Sequence, residues 1–217
     1  VLDRGFISHH MATDASSLVA DLENPAILLT DHRVPAPGPI LRVLDLLRPS
    51  GRPLLLVADE VAPEVVAALM QARAQGAGVA VAINPPEFGH WRKATMEDIG
   101  IMTGGRVIAR DLGGRLEDVT LDDLGAAAAA RIASAATALI QCQGDPAAIE
   151  GRRALVQKLW DEAPENIERD KLAERLAKLT RGTATIWAGG ATPVEQKRTA
   201  QLLEDSLNAA RAARAEG

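Results

Sequence analysis

Gly51–Met70 reads GRPLLLVADEVAPEVVAALM, and its two halves carry different patterns. Leu54–Ala58 (LLLVA) is apolar at every position, the pattern of a parallel strand buried on both faces. Val61–Met70 (VAPEVVAALM) has a helical period. Val61, Val65 and Leu69 form one stripe at about 100° per residue, and Val66 and Met70 extend it sideways. Pro63 falls in the first turn, where proline is tolerated. Asp59-Glu60, between strand and helix, reads as an acidic cap on the helix N-terminus. Carboxylates at a strand end of an α/β fold can also be catalytic.

The alternation continues in both directions. Upstream, Ala26–Thr30 (AILLT) reads as a strand and Pro35–Pro39 as a turn. Ile40–Leu47 (ILRVLDLL) is a helix with Ile40, Val43, Leu44 and Leu47 on one stripe, and Ser50-Gly51-Arg52-Pro53 stops it. Downstream come a strand at Val79–Ile83, a Pro-rich turn at Asn84–Gly89 and a short helix at Lys93–Met102. Gly104-Gly105 ends that helix and a strand follows at Val107–Ala109. This rhythm predicts an α/β fold, a mostly parallel central sheet flanked by helices. Leu121–Gly125 is a short capped turn. Ala126–Ala130 is a low-complexity run with strong helix propensity. Ala138–Cys142 is a strand. Asp145–Ala163 and Ile167–Thr180 are long amphipathic helices, with Arg169, Asp170, Lys171, Glu174 and Arg175 as the solvated side of the second. Thr183–Trp187 is a strand and Pro193–Glu216 a final helix. The composition shift at Arg181–Gly182 marks a hinge.

Two helices are more apolar than a surface helix requires. Leu41 and Leu46 lie outside the core stripe of the first, and Val66 and Met70 outside that of the second. One stripe is enough to face a core; an offset second face needs another partner. Side by side, the two extra faces make an apolar groove that binds segments of other proteins.

Composition excludes several classes. The 217 residues carry 24 Lys+Arg against 29 Asp+Glu, a net charge of −5, which argues against a nucleic-acid binder. Aromatic residues are 2% of the chain and Tyr is absent, so base-stacking platforms are missing. The basic residues are scattered, with Trp91-Arg92-Lys93 the densest group. Cys142 is the only cysteine; it forms no internal disulfide and reads as a buried, inert thiol in a reduced, cytoplasmic setting. No stretch approaches the ~20 apolar residues of a membrane helix, and no secretory signal is visible. Both ends read as cuts in a longer polypeptide.

Recognisable chemistry is sparse. Neither G-x-G-x-x-G nor G-x-x-x-x-G-K-[ST] occurs, and no G-x-S-x-G elbow is present. His9 and His10, as strand neighbours, point to opposite faces and make a poor metal clamp; His32 and His90 are isolated. No metal site is expected. A small-molecule enzyme with Asp59 and His90 near one strand edge remains an alternative.

Several blocks resemble group I chaperonins, the GroEL family. Leu2-Asp3-Arg4-Gly5-Phe6-Ile7-Ser8 is similar to F-D-R-G-Y-L-S, and Glu23-Asn24-Pro25-Ala26-Ile27-Leu28-Leu29 to E-x-P-x-I-L-L. Gly51–Val61 is similar to G-K-P-L-L-I-I-A-E-D-V. Phe88-Gly89-His90-Trp91-Arg92-Lys93-Ala94 is similar to F-G-D-R-R-K-A, continued by Glu97-Asp98-Ile99 and Thr103-Gly104-Gly105. Asp170–Leu179 resembles E-K-L-Q-E-R-L-A-K-L, and Leu203–Ala212 resembles V-E-D-A-L-H-A-T-R-A. These blocks keep the family's order and cover essentially the whole chain.

The resemblance implies an apical, polypeptide-binding domain over residues 1–182 and a C-terminal part of the intermediate domain over 183–217. The equatorial domain, with its ATP and Mg2+ site, is absent from this chain, so no cofactor is expected here. It implies binding of unfolded polypeptides and of a co-chaperonin loop at Phe6, Ser8, His10, Met11, Leu41, Leu44, Val66, Met70 and Gln71. It implies a homo-oligomeric ring in the full-length protein, no nucleic-acid partner and no membrane. Asp205 matches the carboxylate that positions the attacking water in ATP hydrolysis, and Arg181 with Gly182 fall at the family's hinge. His10, Met11, Gln71, Arg181 and Pro193 depart from the usual residues, the marks of a divergent member. A scaffold without a folding cycle is a further alternative.

Overall fold

The computed structural model describes residues 1–14, 16–180, 186 and 188–216. These fall into two compact units, Val1–Thr180 and Arg181–Gly217. In the first, β2 (Ala26–Thr30), β4 (Leu54–Val57) and β6 (Ala80–Ile83) run parallel and adjacent, with Leu28 opposite Leu56 and Leu55 opposite Val81. β7 (Val107–Ile108) joins the other side of β2, again parallel. Ile27, Leu28, Leu29, Leu54, Leu55, Leu56 and Ile83 are wholly buried, as all-apolar strands covered on both faces must be.

Right-handed crossovers then place the helices. α1 (Gly38–Leu47) links β2 to β4, and α2 (Pro63–Ala74) links β4 to β6, both stepping in one direction along the sheet. The two helices therefore lie side by side on one face. α3 (Gly89–Thr103) returns from β6 across the sheet to β7 and so occupies the opposite face. The strand pair β3 (Arg33–Val34) and β5 (Glu60–Val61) ties the entries to α1 and α2, with the Ala62 amide donating to Val34 O at 3.0 Å.

The remaining strands make the sheet mixed. β8 (Gly125–Ile132) runs antiparallel to β1 (Ala20–Glu23), β2 and β9 (Thr137–Cys142). The alanine run, whose intrinsic propensity favours helix, is therefore strand. Ladders on both sides satisfy its backbone, and Ala127, Ala130 and Ile132 are buried. The propensity difference is well under 1 kcal/mol per residue, too small to resist that context.

α4 (Pro146–Glu162) and α5 (Ile167–Leu179) pack against α3. Asp98 of α3 is the clasp. Its carboxylate accepts from Arg152 Nε of α4 at 2.6 Å and from Arg175 Nε of α5 at 2.7 Å. Burial works against the Arg152 charge, but Asp98 and Glu97 outweigh it and hold its pKa above the ordinary value. Arg175 is thus no part of a solvated face; its side chain is 11% exposed. Lys171 also turns inward, to Glu87 at 3.1 Å. Periodicity shows where the apolar stripe runs, but not that a buried carboxylate awaits beside it.

Three boundaries differ from expectation. Val61 belongs to β5, paired with Val34, and α2 begins at Pro63. Asp59 and Glu60 do not cap α2, whose N-cap is Ala62 with no side-chain bond. Instead Glu60 pairs with Arg33 at 3.1 Å and Asp59 with Arg92. α3 starts at Gly89, four residues early. In the second unit, α6 spans Pro193–Glu216. The expected hinge, Arg181 and Gly182, lies outside the described residues, as does all of the expected Thr183–Trp187 strand except Ile186.

Candidate functional site

α1 and α2 each spend one stripe on the core. Ile40, Val43, Leu44 and Leu47 of α1 are buried, as are Val65, Leu69 and Ala72 of α2. Leu41 and Leu46, and Val66 and Met70, remain half-buried beside those stripes. Leu41, Val66 and Met70 pack against the core with one side and meet solvent with the other. Gln71 is exposed.

The N-terminal segment extends this apolar surface. Phe6 bridges Ile83 at the β6 edge, and the Ile7 amide donates to Ala82 O at 2.8 Å. Arg73 of α2 donates to Ala12 O at 2.9 Å, tying the same segment to the helix. Phe6 and Ser8 are half-buried and His10 is exposed. His9 and His10 sit in a 3-10 turn (His9–Met11), not a strand, with ring centroids 4.0 Å apart.

Two expected contact residues are not at the surface. Met11 is wholly buried, its sulfur accepting the Ala82 amide at 3.2 Å. Leu44 is 3% exposed. Both were assigned through the resemblance. The 3-10 turn swings Met11 under the segment, and Leu44 lies on the core stripe that its own spacing defines.

Cys142 is half-buried, and burial pushes its thiol pKa up, away from reactivity. No group of three or more metal-ligating side chains occurs among the described residues. Asp205 is exposed on α6. No helix among the described residues is long and apolar enough to cross a membrane. Asp59 lines a cleft at the carboxyl edge of the parallel strands, whereas His90 is exposed and outside its lining. That cleft, with Arg106, Arg110 and Arg115 on its rim, went unread in the sequence. Its one local signal was three arginines within ten residues, Arg106, Arg110 and Arg115, near the Gly113-Gly114 turn.

No family model matches the chain. Chaperonin GroEL 4 of Bradyrhizobium diazoefficiens is 55% identical over 215 residues, which cover 99% of this chain and 39% of that relative. The chain therefore spans about two fifths of the length of the curated relative it matches. On that identity, over nearly its whole length, the chain belongs to the GroEL family of chaperonins.

Proposed function

We propose that this chain is the part of a chaperonin that captures non-native polypeptide, in an apolar groove between α1 and α2. The observation that carries the reading is the half-buried set Leu41, Val66 and Met70, on neighbouring helices of a GroEL-family chain. Such side chains gain about 25 cal/mol per Å² of apolar area covered and demand no particular sequence. Met70 adds an unbranched, polarizable side chain that adapts to varied partners. Phe6 borders the groove and extends its apolar surface, and Ser8, His10 and Gln71 add polar contacts. Weak, non-directional adhesion suits a protein that must both hold and release many clients.

On this reading residues 1–182 form the apical domain and residues 183–217 a C-terminal part of the intermediate domain. A co-chaperonin loop competes for the same groove. In the full-length protein ATP and Mg2+ drive the cycle in a homo-oligomeric ring in the cytoplasm, and Asp205 positions the attacking water.

Calorimetric titration with an amphipathic apolar peptide and with a chemically denatured model protein tests the groove. Micromolar binding, about −8 kcal/mol, is expected for the folded chain, and at least tenfold weaker binding for Leu41→Glu and Val66→Glu. Unchanged affinity in both folded variants refutes the groove. No binding by the unaltered chain points instead to a scaffold that keeps the family fold without its adhesive role.

A further inference from the structure

A second concave site lies at the carboxyl edge of the sheet. The carboxyl ends of β2 and β7 open into a cleft of about 830 Å³. It forms where the crossovers reverse, because α1 leaves for one face and α3 returns on the other. Met96, Ile101, Val107, Ile108 and Val119 make its walls largely apolar.

The outer wall is a turn tied down at three points. The Arg110 amide donates to Asp31 Oδ1 at 2.9 Å, Lys93 pairs with Asp111 at 3.1 Å, and His32 Nε2 lies 2.9 Å from Gly114 O. Gly114 permits the close approach, since a Cβ there would stand 3.0 Å from Ala109 O. The wall is thus formed before any ligand arrives, which lowers the ordering cost of binding.

The rim has donors to spare. Arg92 and Lys93 are engaged by Asp59 and Asp111. Arg110 and Arg115 reach carboxylates only at 3.8 Å, too far for a hydrogen bond. Arg106 contacts Asp123 through Nε, and Asp123 already accepts from the Thr120 amide and hydroxyl. A guanidinium carries five N–H donors, so Arg106, Arg110 and Arg115 keep most of theirs facing water. Their side chains are 70%, 58% and 69% exposed.

We propose that this cleft binds a small organic anion with a flat apolar body, an aryl carboxylate or aryl phosphate. The ring lies against the half-buried Ile101 and Val107, and the oxyanion meets the Arg106–Arg110–Arg115 rim. Carboxylates and phosphates both present two oxygens to a guanidinium fork, which offers two parallel bonds.

Calorimetry and ligand-observed NMR on the whole chain test this, with phenyl phosphate and benzoate as probes and inorganic phosphate and benzyl alcohol as controls. At least one aryl anion is expected to bind tenfold or more tightly than either control; which one wins distinguishes the two headgroups. The Arg110→Ala/Arg115→Ala variant is expected to lose at least tenfold in aryl-anion affinity with an unchanged melting temperature. Val66→Glu, which disables the proposed groove, is expected to keep it. The proposal falls if neither aryl anion binds, if inorganic phosphate binds as well, if the double arginine variant binds normally, or if Val66→Glu abolishes binding.

Discussion

Replacing Leu44 by Ala separates the core stripe of α1 from its outer flank. Leu44 is 3% exposed, so nearly the whole side chain is withdrawn from water. Truncating a buried leucine costs about 2.7–5.0 kcal/mol, transfer plus cavity. The local surroundings favour the lower end. Leu44 borders a surface depression of about 450 Å³ and faces Gly78, where a Cβ would lie 3.6 Å from its Cδ2. A cavity beside an open depression can partly collapse or fill with water, so about 3 kcal/mol is expected. Leu41 is half-buried, and Leu41→Ala forfeits about half of a leucine's burial, roughly 1 kcal/mol. Urea unfolding of both variants, compared at a common m-value, reads the difference directly. Peptide titration reverses the ranking. Leu44→Ala keeps its affinity within about twofold, while Leu41→Ala loses about tenfold. A loss under 1 kcal/mol at Leu44, or peptide affinity that depends on Leu44 more than Leu41, refutes the assignment of these two faces.

Two further outcomes follow from the ion pairs. Asp98→Ala leaves Arg152 and Arg175 without their shared carboxylate, and breaking a buried pair in this way costs about 3–5 kcal/mol. Denaturant unfolding measures it, and a double variant with Arg175→Met should recover part of the loss; full additivity of the two changes would mean no coupling. Asp123 titrates with a definite sign. Burial opposes its charge, but hydrogen bonds from Thr120 and the Arg106 guanidinium outweigh burial and hold its pKa below the ordinary value. Its contribution is therefore present above the unfolded carboxylate value of about 3.9 and is lost as pH falls below that. Asp123→Ala should be less stable at neutral pH and show a shallower loss of stability between about pH 5 and pH 2. A steeper acid limb in the variant would contradict this.

Much of the fold was legible along the chain. LLLVA and VAVAI are apolar throughout and AILLT is apolar up to its final Thr30, and each became a buried parallel strand because such runs are stable only when covered on both faces. Leu41, Val66 and Met70 could be set apart by helical period alone, since 100° per residue fixes which side chains share a stripe. Other features had no local signal. The alanine run became β8 because partner strands on both sides satisfied its backbone, and those partners are distant in sequence. Arg175, 77 residues from Asp98, reads as one more surface charge until three helices converge on that carboxylate. Met11 lies beside exposed His10 in the chain, yet a 3-10 turn puts it under Ala82. The cleft collects residues from Thr30 to Asp123. Periodicity and composition act over one or two turns of chain and so determined the core parallel strands, the main helices and their apolar faces. Long-range pairing, burial of charge and the meeting of loops depend on the order of strands in the sheet, and only the tertiary structure decided them.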